Sequence, residues 1–217
     1  MSGDRTPERP RNLLEYEERF WGRGRSGVVG IDEAGRGPLA GPVVAAAVLL
    51  PKGVSVAGVK DSKQLPRSTR ESLVHAVLGT ALAVGIGAAS DREIDRLNIL
   101  QATTLAMNRA LDRIRLDPGC PDDPHVVVDG LPVRGLSHQH EAVVGGDGIV
   151  HSIACASVVA KVVRDRLMHR LAERYPGYGW ETNVGYGTPE HRAALGRLGP
   201  TPHHRLSFGG VQLDLRL

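Results

Sequence analysis

Four acidic side chains, Asp32, Glu33, Asp129 and Asp165, stand where the sequence pattern would carry them towards a common point, and together they suit the binding of divalent cations. Asp32 and Glu33 lie within GIDEAGRG, residues 30–37, at the end of an apolar run and directly before a glycine-flanked arginine. Asp129 closes the β-branched run of VVVDG. An ionised carboxylate beside a core is strongly penalised unless it is paired, protonated or bound to metal. Several such groups repel one another unless a cation lies among them, and hard oxygen ligands favour magnesium or manganese over zinc. Two cations about 4 Å apart orient a water and stabilise the leaving oxygen of an in-line displacement at phosphorus, which is chemistry for a phosphodiester.

Each acid taken singly has an ordinary alternative. Adjacent Asp-Glu is commonly a solvated turn, and Asp129 before Gly130 a turn residue. Asp165 would serve as an ion-pair partner of Lys161, one helical turn away. Their joint occurrence with the glycine-arginine loop favours the functional reading.

The elements that must position these acids follow from hydrophobic spacing. VVGID and PVVAAAVLL suit two buried strands joined by a tight glycine-rich connection. Side chains alternate along a strand, so Asp32 and Glu33 converge only if the backbone turns at Glu33, and Ala34-Gly35 suits such a turn. Helical spacing runs over 67–78, and ALAVGIGAA offers a third strand. A long helix is predicted over Asn98 to Ile114, with Leu100, Leu105, Ala106 and Leu111 near its repeat. The breaker DPGCPDDP then precedes HVVVDG, a strand that delivers Asp129 to its own end. Ser152 is placed as the cap of a helix reaching about Tyr175 and stopped by Pro176 and Gly177. On that helix Val158, Val159, Val162 and Val163 would face the core, while Ser157, Lys161 and Asp165 form one stripe at i, i+4, i+8. Thr188 and Pro189 start another helix, after a glycine-bearing loop over 177–187. Interleaved strands and helices make an α/β or α+β domain.

The chain has 217 residues, of which 41% are hydrophobic, so one domain over 16–208 is the default, with a flexible N-terminal tail over 1–15 and a C-terminal tail over 209–217. No run approaches the roughly 18 apolar residues of a membrane span, and MSGDRTPERPRN lacks the apolar stretch of a signal peptide, so the protein is expected in the cytoplasm. A net charge of +3 with a pI near 9.1 is compatible with a phosphate-rich partner. Cys120 and Cys155 are in no CxxC spacing and suggest neither a disulfide framework nor a thiolate zinc site. His138, His140, His203 and His204 have zinc-like spacing, but without cysteine partners solvated or hydrogen-bonded imidazoles are preferred.

These residues resemble ribonuclease HII, and the resemblance is not confined to one motif. VGIDEAGRGPLAGPVVAAAVLL, KDSKQL, NILQATTLAMNRAL, VVVDG, GDGIVHSIACASVVAKVVRDR, GYGTPEHRAAL and HHRLSF match the family's blocks in the same order over roughly residues 28–208. The resemblance implies a ribonuclease H-like α/β fold, with a central mixed sheet flanked by helices and a C-terminal helical extension. It implies hydrolysis of the RNA strand of RNA/DNA hybrids with Mg2+ or Mn2+, and cutting 5′ of single ribonucleotides embedded in duplex DNA. A metal-activated water would leave 5′-phosphate and 3′-hydroxyl ends, in ribonucleotide excision repair and primer removal. By resemblance Asp32, Glu33, Asp129 and Asp165 are the four metal-binding acids. Gly35, Arg36 and Gly37 match the loop that senses the ribose 2′-hydroxyl, the group that separates RNA from DNA locally. Tyr186 matches the tyrosine that packs on the sugar, and Lys63, Ser157 and Lys161 match phosphate-contacting positions.

Cys155, Leu206, Gly145 and Gly148 depart from the family's usual residues, which bears on backbone contacts to nucleic acid rather than on the acids. A monomer is expected, and a sliding-clamp contact through the tails is left open. The sister type, ribonuclease HIII, carries an extra N-terminal domain and a glutamate as fourth acid, whereas this chain has Asp165 and a short N-terminal stretch. A silent hybrid-binding module would lack the full acidic set, and a nucleotide-binding loop would need a GxGxxG or Walker lysine that 35–41 does not have.

Overall fold

The structure is a computed structural model and describes residues 14–59 and 66–211. Its order is α1 (Glu15–Trp21), β1 (Val28–Ala34), β2 (Val43–Leu49), α2 (Arg67–Thr80), β3 (Ala83–Ala89), α3 (Asp91–Leu97), α4 (Ile99–Arg115), β4 (His125–Asp129), β5 (His140–Val143), α5 (His151–Arg174), α6 (Trp180–Asn183) and α7 (Pro189–Leu198). The five strands form one mixed sheet in the order β3-β2-β1-β4-β5. β1 is antiparallel to β2 and parallel to β4. Every residue of β2 is buried, because helices cover both faces: small and β-branched side chains suit a strand packed on two sides.

Alternation along β1 and its neighbours divides the core in two. Val29, Ile31, Ala45, Val126 and Val128 pack against Ala102, Ala106, Ala110 and Ile114 of α4. Ala46 and Val48 pack against α2 and α5 on the other side. Gly30 sets how closely α5 approaches, since a Cβ there would lie 2.2 Å from the Ser152 carbonyl carbon. A third apolar cluster joins α5, α6 and α7 through Met168, Trp180, Ala194 and Leu195, and extends to Val211.

Most predicted elements are present, with corrections. The helix over 98–114 is α4, capped by Asn98, whose Oδ1 accepts from Leu100 N and Gln101 N at 3.0 and 3.1 Å. Leu100 is 62% exposed and so does not belong to the apolar face. Before α4 the chain forms the unforeseen α3, which Ser90 and Glu93 start as a reciprocal capping box. β5 was likewise unforeseen, and α6 occupies part of the loop expected over 177–187. Ser152 does not cap α5, which begins at His151. Its N and Oγ instead donate to Glu17 Oε1 at 2.9 and 3.0 Å, so a carboxylate from α1 meets the unpaired N–H groups and positive end of the helix. Thr188 caps α7 as expected, accepting from His191 N, with Pro189 in the first turn. Among the described residues no helix is long and apolar enough to cross a membrane.

Candidate active site

The last pairing between β1 and β4 joins Ile31 to Val128, so Asp32 and Asp129 stand side by side where the parallel pairing of the two strands ends. Both share the parity of Gly30 and Val127 and face α5, whose Ser157 lies over them. β1 does not turn at Glu33, contrary to expectation. It runs on to Ala34 with Glu33 paired to Ala45, and the bend falls at Gly35, where φ is +96°. Glu33 therefore starts from the opposite face, but beyond the end of β4 the sheet is open and its carboxylate reaches the same cleft. A Cβ on Gly35 would lie 2.0 Å from Arg164 Nε, so only glycine fits that bend.

One cleft at this sheet end is lined by Asp32, Glu33, Asp129, Gly35, Arg36, Gly37, Ser157, Lys161 and Tyr186. Asp165 does not line it. Its carboxylate is 2.7 Å from Lys161 Nζ and 3.9 Å from Arg70 Nη2, so the ion pair with Lys161 is real. Ser157 and Lys161, the upper members of its stripe, do line the cleft. Lys63 lies outside the described residues. The exposed Tyr186 faces Gly37 across the cleft, and a Cβ on Gly37 would be 3.7 Å from its ring.

The cleft is electrostatically strained. Burial, with Glu33 and Asp129 nearby, pushes the Asp32 carboxyl up to about 7, although the Ser157 hydroxyl and Glu33 N–H oppose the shift. Burial and Asp129 also raise Glu33, against the pull of Arg36, whose Nη1 donates to Glu33 Oε1 at 3.3 Å. Asp129 Oδ1 accepts from Gly146 N at 2.6 Å. Such a set of hard donors, half-buried and mutually repelling, fits a divalent cation, though no three acids are yet closed into a cage among the described residues. Asp32, Glu33 and Asp129 would hold it directly, with Asp165 the nearest further carboxylate.

Two buried arginines that sequence reasoning missed shape the cleft from behind. Arg164 donates to the carbonyls of Pro42, Val184 and Ala40 at 3.0–3.1 Å. Arg205 donates to those of Gly41, Arg36 and Gly35 at 2.6–2.9 Å. Arg164 was visible in principle, since Ala160, Arg164 and Met168 share the inward face of α5; Arg205 falls in the HHRLSF block, but no local pattern marks it as buried. The four histidines considered for zinc are hydrogen-bonded instead: His138 to Ser137 Oγ, His140 to Val133 N, His203 to Asp91 and His204 to Thr201 N. Cys120 and Cys155 are free thiols.

A mixed sheet flanked by helices, with carboxylates gathered at one end of its central strand, defines the ribonuclease H-like class. The comparisons with known proteins narrow this. The family model for ribonuclease HII matches residues 29–211. The ribonuclease HII of Thermosynechococcus vestitus is 55% identical over 90% of this chain and 89% of its own. Ribonuclease H2 from Pyrococcus horikoshii superposes with a TM-score of 0.68 at 26% identity, over 85% of this chain and 95% of its own. Bst-RNase HIII in complex with Mn2+ shares the fold, with a TM-score of 0.66 at 21% identity over 85% of this chain and 68% of its own. The chain belongs to the ribonuclease HII family. It is a ribonuclease H, a divalent-metal-dependent endonuclease acting on RNA/DNA hybrids.

Proposed function

We propose that Asp32, Glu33, Asp129 and Asp165 hold Mg2+ or Mn2+, and that the enzyme cuts 5′ of single ribonucleotides in duplex DNA as well as within hybrids. Products would carry 5′-phosphate and 3′-hydroxyl ends. The observation that carries this reading is the meeting of Asp32, Glu33 and Asp129 in one cleft with the Gly35–Gly37 loop and Tyr186. When bound, divalent cations supply an activated water and stabilise the leaving oxygen of an in-line displacement. That the fold neighbour Bst-RNase HIII was solved with Mn2+ supports manganese as one choice.

The remaining work falls to this chain's own groups. Ser157 hydrogen-bonds the Asp32 carboxylate, favouring its ionised form against the effect of burial and orienting it beside Asp129. The Gly35 and Gly37 backbone leaves room for close approach to a sugar 2′-hydroxyl, and Arg36 stands beside it. Tyr186 offers its exposed ring as the opposite wall, suited to packing on a sugar at the junction. Lys161 on the cleft wall suits a phosphate contact, as does Lys63 by resemblance. The enzyme acts as a monomer in the cytoplasm, in repair of embedded ribonucleotides and removal of RNA primers. The tails through which a clamp contact would run fall largely outside the described residues.

The decisive experiment incubates the protein with a DNA duplex bearing one ribonucleotide, with an RNA/DNA hybrid and with plain DNA, each with Mg2+, Mn2+ or chelator. Cleavage of the first two, 5′ of the ribonucleotide in the first, is expected with either metal and none with chelator. Cutting of the hybrid alone would remove the embedded-ribonucleotide activity from this reading, and cutting that survives chelation would remove the acids' role.

A further inference from the structure

Behind the cleft lies a buried polar chain that the reaction does not touch. Trp180 Nε1 donates to His191 Nε2 at 3.0 Å, and His204 Nε2 stands 3.1 Å from the same nitrogen. His191 Nδ1 lies 2.9 Å from the Tyr186 carbonyl oxygen. At the other end, Thr201 N donates to His204 Nδ1 at 2.8 Å. Indole and backbone N–H groups are donors only, so these partners dictate both tautomers. His204 Nδ1 and His191 Nε2 carry no hydrogen, hence His204 Nε2–H donates to His191, and His191 Nδ1–H donates to Tyr186. The wiring requires both rings neutral. Burial holds both below the ordinary imidazole range, His204 at about 4.

The chain links the two loops that face each other across the cleft. One end fixes the backbone of Tyr186. The other end, His204, pairs with Ala40 in an isolated bridge. Its neighbour Arg205 grips the carbonyls of Gly35, Arg36 and Gly41 through its guanidinium, and Arg205 N donates to Leu39 O at 2.8 Å.

We propose that His191 and His204 are positioning residues that lock the Tyr186 loop to the Gly35–Gly41 loop, and so set the gap that the sugar at the cleavage junction must fit. This rests on the reading of the cleft as the substrate site. An apolar replacement of His191 leaves the Trp180 indole N–H and the His204 imidazole N–H buried without an acceptor, each costing about 1–3 kcal/mol, and leaves the Tyr186 carbonyl held only by Thr188 N at 2.8 Å. A glutamine supplies both an acceptor and a donor and keeps the link.

The test is a double-mutant cycle between Tyr186→Ala and His191→Leu, with His191→Gln as the conservative variant. kcat and KM are measured on duplex DNA bearing one ribonucleotide, at a temperature where circular dichroism shows every variant folded. We expect each of the two single substitutions to lower kcat/KM about tenfold or more, a scale consistent with losing one buried hydrogen bond. The double variant should be no worse than the poorer single one, because His191 acts through Tyr186, and His191→Gln should retain most of the activity. Should His191→Leu not fold, His191→Asn, too short to span Trp180 and Tyr186, takes its place in the cycle. A double variant whose loss is the product of the two single losses overturns the proposal and leaves the cleft reading standing. So does a His191 variant that cleaves normally while Tyr186→Ala does not. An unchanged kcat/KM for Tyr186→Ala overturns the role of that ring and the proposal with it.

Discussion

Asp32 is the residue on which opposing forces concentrate, being 5% exposed and flanked by two further acids. Its carboxyl, ordinarily at 3.8, is raised to about 7 in the fold. A raised acid stabilises the folded state in its protonated form, so that contribution is full below about pH 4 and is lost as pH climbs through 7. Cation-free protein should therefore melt at a lower temperature at pH 8 than at pH 5. Added Mg2+ or Mn2+ should raise the melting temperature more at pH 8, by a difference on the order of 5 °C or more. Equal stabilisation at both pH values, followed by differential scanning calorimetry, would show that no cation meets this carboxyl. Asp32→Asn should flatten the pH dependence and stabilise the cation-free protein. It should cut the cleavage rate by roughly 10³-fold or more, as losing a group at the reacting charge does, while sparing hybrid binding in a filter or anisotropy assay. Equal loss of binding and cleavage would assign Asp32 to substrate capture instead.

At the scale of elements, the site depends on where α5 starts and how closely it lies on β1. Gly30 admits its backbone, and Glu17 from α1 satisfies its first N–H groups. That contact spans 135 positions of sequence, which is why Ser152, a good cap by local chemistry, was expected in that role. Glu17→Ala removes the partner of Ser152 N and Oγ, and should cost about 1–3 kcal/mol of stability, read as a lower urea midpoint at unchanged slope. Cleavage at 25 °C should stay within about twofold of the starting protein, because α1 does not touch the cleft. A large loss of activity without loss of stability would give α1 a part in the reaction that its position does not suggest. α3 is the opposite case: its capping signal, Ser90 followed by Glu93, is local and legible in the sequence, though α3 is short beside the stronger periodicity of α4.

For the whole molecule, the net charge of +3 does not describe the cleft, where Arg36, Arg70 and Lys161 stand among Asp32, Glu33 and Asp129 and become available to substrate phosphates once cations neutralise the acids. Three phosphate contacts release enough counterions for binding to fall about 40-fold between 50 and 200 mM salt. Titrating a fluorescent hybrid at several salt concentrations checks this, and a flat response would mean that the basic groups serve the protein's own acids rather than substrate phosphates.

The amino-acid order by itself determined the alternation of strands and helices, the two adjacent acids at the end of β1, the acid closing β4 and the stripe of Ser157, Lys161 and Asp165. These are readable because hydrophobic period and breaker residues act over short separations. Tertiary structure alone decided that Glu33 reaches the cleft from the far face of a straight strand, that Arg70 joins Lys161 at Asp165, and that Arg164, Arg205, His191 and His204 brace the loops around the site. Each of those depends on contacts between distant segments, where burial turns an ordinary arginine or histidine into a donor that must find a partner, and no local pattern encodes which partner it finds.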